Sequence, residues 1–174
     1  MTHRPVPCSG SGPSAASGPD SGRWSSPRTD RGRVLVVEDS QEDAEAIERA
    51  LARSHPHLVL EFLDRADQLV EHLTAGSALP GLILLDLNMP GTNGHAALAS
   101  VRARPELSGV RVVVFTSSTS PAEEDACYVA GADSYIYKPV NFDLFRTVLK
   151  GAVDFWQDSP GPDVPDGPAT PDGS

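Results

Sequence analysis

Four apolar runs, far apart in the chain, end in polar groups that make chemical sense together. Residues 34–37 run into Glu38 and Asp39, residues 82–85 into Asp86, residues 112–115 into Thr116, and residues 135–137 into Lys138. The set comprises three carboxylates, one hydroxyl and one ammonium. Acids gathered at one point repel one another unless a cation sits among them. A hard cation such as Mg²⁺ takes oxygen ligands, few of them carboxylates, and keeps several waters. Glu38 and Asp39 read as its ligands, with Asp86 and the backbone carbonyl of Asn88 completing the shell. A carboxylate can also attack phosphorus and form an acyl phosphate, so Asp86 reads as the nucleophile. Thr116 and Lys138 are the partners that phosphoryl oxygens need. The chemistry is that of an acidic Mg²⁺ pocket built to receive a phosphoryl group.

These groups meet only if the runs are neighbouring strands of one sheet, all pointing the same way. The sequence supports that arrangement. Strands are expected over residues 34–37, 57–63, 82–87, 110–115 and 134–137, the β-branched or apolar runs. Between them lie helical patterns. Ser40 opens one over 41–53, with Asp43 three residues on as an approximate capping box. Others follow over 67–74, over 96–104, and from Ser120-Pro121 to Gly131, where Ser120 is the expected cap and Gly131 a left-handed terminator. Asn141 caps a last helix with an apolar stripe of Phe142, Phe145, Val148, Leu149, Ala152 and Val153. Five alternating β–α units with short links predict an α/β fold, a doubly wound five-stranded parallel sheet of flavodoxin-like (βα)5 type. Glu38-Asp39 must sit beside Asp86, which favours strand order 2-1-3-4-5 with the site at its switch point. The Lys138–Pro139 bond is a candidate for a cis peptide that would aim the lysine.

Composition divides the chain of 174 residues, whose hydrophobic content is 39 % and whose net charge is −10. Residues 1–32 are dominated by Ser, Gly, Pro and Arg, and residues 157–174 by Pro, Gly and Asp. Neither segment carries enough apolar surface to offset its ordering entropy, so both are expected to be disordered around a domain at 33–156. Four arginines against two aspartates give the head +2, and four aspartates give the tail −4, which leaves −8 on the domain. An acidic domain argues against nucleic acid and anionic membrane as partners. No run approaches a membrane span and no secretory signal opens the chain. Cys8 and Cys127 make no disulfide framework, which fits a reducing cytoplasm. The five histidines show no metal-ligand spacing.

Taken together, Glu38-Asp39, Asp86-Leu87-Asn88-Met89-Pro90 with Gly94, Thr116-Ser117 and Lys138-Pro139 resemble the receiver domain of bacterial two-component response regulators. The resemblance implies that Asp86 accepts a phosphoryl group from a phosphohistidine on a sensor histidine kinase. It implies Mg²⁺ on Glu38 and Asp39, phosphoryl contacts from Thr116 and Lys138, and a switch that couples Thr116 to the aromatic Tyr135. No output domain follows, so a single-domain receiver is expected, signalling by binding another protein or by passing the phosphoryl group to a phosphotransfer protein. The stretches around Asp86, around Thr116 and from Lys138 to Phe142 resemble single-domain receivers paired with phytochrome-type sensor kinases. Such receivers often form a homodimer through the face of the fourth helix, fifth strand and fifth helix, where Tyr128, Tyr135, Tyr137 and Phe145 would offer apolar area, Phe145 fitting the core equally well.

Three other classes compete. Aspartate-nucleophile phosphohydrolases commonly carry a second Asp two residues on as general acid, and Asn88 cannot do that work. A dinucleotide-binding domain needs a Gly-rich turn where Glu38-Asp39-Ser40 stands. A receiver-like binding module independent of phosphorylation usually lacks an acid or the lysine, and here none is missing. An enzyme acting on any substrate beyond its own phosphoryl group is not expected.

Overall fold

In a computed structural model, residues 28–76 and 78–159 are described. The strands are β1 (Thr29–Val37), β2 (Val59–Leu63), β3 (Leu79–Leu85), β4 (Arg111–Thr116) and β5 (Ser134–Tyr137). The helices are α1 (Gln41–Ser54), α2 (Leu69–Ala75), α3 (Gly94–Arg102), α4 (Pro121–Val129) and α5 (Phe142–Asp158). All strand pairs are parallel, and the order is β2-β1-β3-β4-β5, as the acid pairing required.

Successive strand residues point to opposite faces, so one sheet builds two cores. Leu35, Val37, Ile83, Leu85, Val112 and Val114 meet Leu69, Leu98, Val101 and Cys127 of α2, α3 and α4 on one side. Val34, Val36, Leu82, Leu84, Val113 and Phe115 meet Ile47, Leu51, Phe145, Leu149 and Val153 of α1 and α5 on the other. Strands buried on both faces explain the unbroken apolar runs of β1, β3 and β4.

Several local expectations need correction. Residues 29–32, assigned to the head, belong to β1. Thr29 and Asp30 lie opposite Leu79 and Pro80, and the register shifts before Val34. Backbone pairing holds this extension, not apolar side chains, so composition could not show it. Likewise α5 continues through Gln157 and Asp158. Gln157 Nε2 donates to the Arg31 carbonyl at 3.3 Å, and Arg31 Nη1 donates to the Gln157 carbonyl at 3.2 Å. The remainder of the head and tail lies outside the described residues, as does Cys8. In α5 the stripe is narrower than expected, because Phe142 is exposed. No described peptide bond is cis, the Lys138–Pro139 bond included. Ser120 occupies the N-cap position of α4 but its side chain makes no capping bond. Ser40 and Asn141 do cap α1 and α5, accepting from the amides of Asp43 and Leu144.

Candidate functional site

The ladders run past the strand ends and fix the residues next in the chain. The Glu38 amide donates to the Leu63 carbonyl at 2.9 Å, Asp86 to Val37 at 3.0 Å and Lys138 to Thr116 at 2.7 Å. Glu38, Asp86, Thr116 and Lys138 are therefore seated by backbone bonds at the carboxyl edge of the sheet. Gly94 at the start of α3 completes the seat. A Cβ there would lie 2.8 Å from the Asp86 carbonyl, so only glycine lets the helix close on that loop.

Four of the expected residues are withdrawn from solvent: Glu38 is 5 %, Asp86 6 %, Lys138 7 % and Thr116 0 % exposed. Asp39 is exposed at the mouth. One oxygen from each of Glu38, Asp39 and Asp86 lies within 4.8 Å of the other two, and no other group of this kind occurs among the described residues. Lys138 Nζ reaches across to Glu38 Oε2, to Asp43 Oδ2 at 2.9 Å and to Asp86 Oδ2 at 3.2 Å. Burial pushes the Glu38 carboxyl above its usual range, Lys138 opposes that, and the nearby Asp86 adds to it. For Lys138, burial works against the charge, but the bonds to Glu38 and the fields of Glu38 and Asp86 outweigh it and hold the ammonium above its usual range. Three acids therefore share one ammonium, and Asp39 adds a fourth carboxylate beside Glu38 and Asp86. That excess of negative charge, with hard oxygen donors, suits a divalent metal ion.

Asn88 serves the pocket twice. Its amide donates to Asp86 Oδ1 at 3.1 Å, and its side-chain Nδ2 donates to Thr116 Oγ1 at 3.2 Å. Thr116 Oγ1 also accepts the Ser118 amide at 3.3 Å. Both contacts use Thr116 as acceptor, which leaves its own proton to donate. Ser118 is a junction, because its carbonyl accepts the Tyr135 hydroxyl at 3.0 Å and its hydroxyl donates to Glu123. On the outer edge of β5 the Tyr135 amide donates to the Tyr128 hydroxyl at 3.2 Å.

Two roles are not visible in the sequence. Asp43 reads there only as a capping acid, although its place one helical turn after Asp39 puts both near the mouth. Ser118 reads there as a side chain near the pocket mouth, with Asn88, but nothing in its hydroxyl-rich neighbours marks it as a junction.

Residues 34–150 match the family model of the response regulator receiver domain. The chain belongs to that family. This receiver is 37 % identical over 136 residues to the probable methanogenesis regulatory protein FilR2 of Methanothrix harundinacea, covering 74 % of this chain and 88 % of that one. It is 33 % identical over 134 residues to the response regulator Rcp1 of a Synechocystis strain, covering 71 % and 87 %. Among solved structures, the phosphorylated cyanobacterial phytochrome response regulator RcpA superposes on the receiver with a TM-score of 0.70 at 28 % identity, covering 75 % of this chain and 98 % of that one. The Mn²⁺-bound form of Rcp1 gives 0.68 at 29 % identity, covering 75 % and 99 %. Among the described residues no helix is long and apolar enough to cross a membrane.

Proposed function

We propose that this receiver accepts a phosphoryl group on Asp86 from the phosphohistidine of a sensor histidine kinase, and signals through the resulting change in conformation. The observation that carries the reading is the convergence of Lys138 Nζ on Glu38, Asp43 and Asp86 beside a fully buried Thr116 hydroxyl. An Asp86 oxygen forms the bond to phosphorus as the P–N bond of the donor breaks, and the electron pair returns to the imidazole. Glu38, Asp39, Asp86 and the Asn88 carbonyl would hold Mg²⁺, which when bound neutralises charge building on the transferring group. Lys138 and Thr116 supply the remaining donors, an ammonium and a hydroxyl proton.

The signal is a population shift. If Thr116 turns its hydroxyl to the phosphoryl oxygens, the Ser118 amide loses its acceptor and the junction at Ser118 is released. Tyr135 hangs on that junction by its hydroxyl, so Thr116 and Tyr135 move together. Tyr128 and Tyr137 are exposed on this side and offer area for a second copy or a downstream protein. Phe145 does not, because it packs in the core against Phe115. The similarity to Rcp1 and RcpA favours a phytochrome-type kinase as donor and the cytoplasm as the setting. The receiver catalyses nothing beyond its own phosphorylation and dephosphorylation.

The test is to weigh the intact protein after exposure to acetyl phosphate, with and without Mg²⁺, beside Asp86→Asn. One Mg²⁺-dependent phosphoryl adduct that vanishes in the variant is expected. No adduct, or an equal one in the variant, overturns the assignment and leaves a binding module that works without phosphate.

A further inference from the structure

We propose that Asp43 is a positioning residue that holds the Lys138 ammonium against the phosphoacceptor while the phosphoryl group transfers; this rests on the acceptor role proposed for Asp86. An ammonium has three donors and no more. In this pocket Glu38, Asp43 and Asp86 take one each. Their fates differ. Glu38 and Asp86 belong to the three-acid group able to hold a cation, and Asp43 does not. Asp86 also changes its own charge and shape on phosphorylation. Asp43 is the acid on Lys138 that neither task withdraws.

Two further observations support that role. Asp43 sits in the first turn of α1, where the Ser40 hydroxyl accepts its amide at 3.3 Å, so its backbone is pinned whatever its side chain does. Lys138 also has somewhere to go. A cavity of about 290 Å³ opens beside it, lined by Asp43, Ala46, Ser117, Tyr137, Pro139 and Val140 among others. Without Asp43 the ammonium gains the rotamers that face this cavity and its water. A flexible four-carbon stem then loses the fixed aim that makes a donor effective in the transition state.

The experiment follows phosphoryl uptake from acetyl phosphate by quenched intact mass. Wild type, Asp43→Ala, Asp43→Glu and Asp86→Asn are compared at saturating Mg²⁺ over a range of donor. For Asp43→Ala the rate constant at saturating donor is expected to fall about tenfold, less than the ~10²-fold of removing such a donor outright. The donor concentration at half-saturation, the Mg²⁺ affinity from thermal shift and the urea midpoint should all stay within about twofold or a fraction of a molar of wild type. Asp43→Glu should recover most of the rate. The ¹⁵N-labelled Lys138 ammonium, seen by NMR at low temperature as a slowly exchanging signal, should broaden in Asp43→Ala alone. An unchanged or faster saturating rate overturns the proposal, as does a loss confined to half-saturation or to Mg²⁺ affinity. The two readings fail differently. A wild-type protein with no adduct removes the acceptor role and Asp43's role with it, whereas active wild type with an equally fast Asp43→Ala removes Asp43 alone.

Discussion

Replacing Lys138 by Met would remove the one cation from a cluster of acids while keeping an unbranched stem of similar length. Glu38 and Asp86 are almost fully buried, so neither can turn to bulk water for compensation. Breaking a buried ion pair by deleting one partner costs about 3–5 kcal/mol, because the charge left behind is unpaired. The lower end applies here, since Asp39 is exposed and Asp43 half-exposed, and the mouth admits water. About 3 kcal/mol is then the expected loss for Lys138→Met in EDTA at pH 7.5. With a urea slope of about 2 kcal/mol per molar, the midpoint should fall by about 1.5 M. Far-UV circular dichroism is the assay, as it reads the whole sheet. Mg²⁺ supplies the variant with the positive charge it lacks. Wild type gains from the ion as well, so the gap should narrow by the difference in affinity, about 1.4 kcal/mol for each tenfold by which the variant binds Mg²⁺ more tightly. A loss below about 1 kcal/mol in EDTA would refute the account, and so would a gap that Mg²⁺ leaves unchanged.

Two other predictions concern the scaffold. Gly131 has φ +99° after α4, and a Cβ there would lie 2.9 Å from Arg102 Cγ. Gly131→Ala should cost about 1–2 kcal/mol from the left-handed backbone alone, and more if Arg102 must release its 2.7 Å bond to the Gly131 carbonyl. Thermal denaturation measures it, and a loss under about 0.5 kcal/mol would contradict the geometry. Glu61 offers a pH test. Burial raises its carboxyl, but bonds from Arg33 and His72 outweigh that and leave it below the usual range. The folded state then holds fewer protons than the unfolded state at moderately acid pH, so this contribution is complete above the unfolded value and is lost as pH falls through the lower folded value. Glu61→Gln should flatten the decline of the urea midpoint between about pH 5 and pH 3, and an unaltered decline would show that Glu61 takes no part in it.

The strand ends were legible because two constraints coincided there. Each buried strand had to be apolar, and each had to stop at the residue it delivers, so Glu38, Asp86, Thr116 and Lys138 stood out against their own runs. The order of strands follows from which acids must be neighbours. The hidden features were carried by backbone bonds or by reach. The pairing of Thr29 and Asp30 with β3 uses amides and carbonyls, which every sequence has. The contact of Asp43 with Lys138 depends on how α1 leaves β1, and the acid served equally well as a capping residue. Phe142 is exposed as the first residue of α5, a place that periodicity alone does not separate from the buried stripe.

The paired bonds between Arg31 and Gln157 have a practical corollary. They tie the start of the first strand to the last turn of the last helix, at the end of the sheet opposite Asp86. Residues 28 and 159 therefore leave the folded body on its far side from the pocket. A tag, a tether or a fused protein joined directly to residue 28 or residue 159 starts from behind the reactive edge. A short peptide could join the two ends into a ring, with the chain reopened at an exposed turn elsewhere, and the acid cluster would keep the strands that seat it.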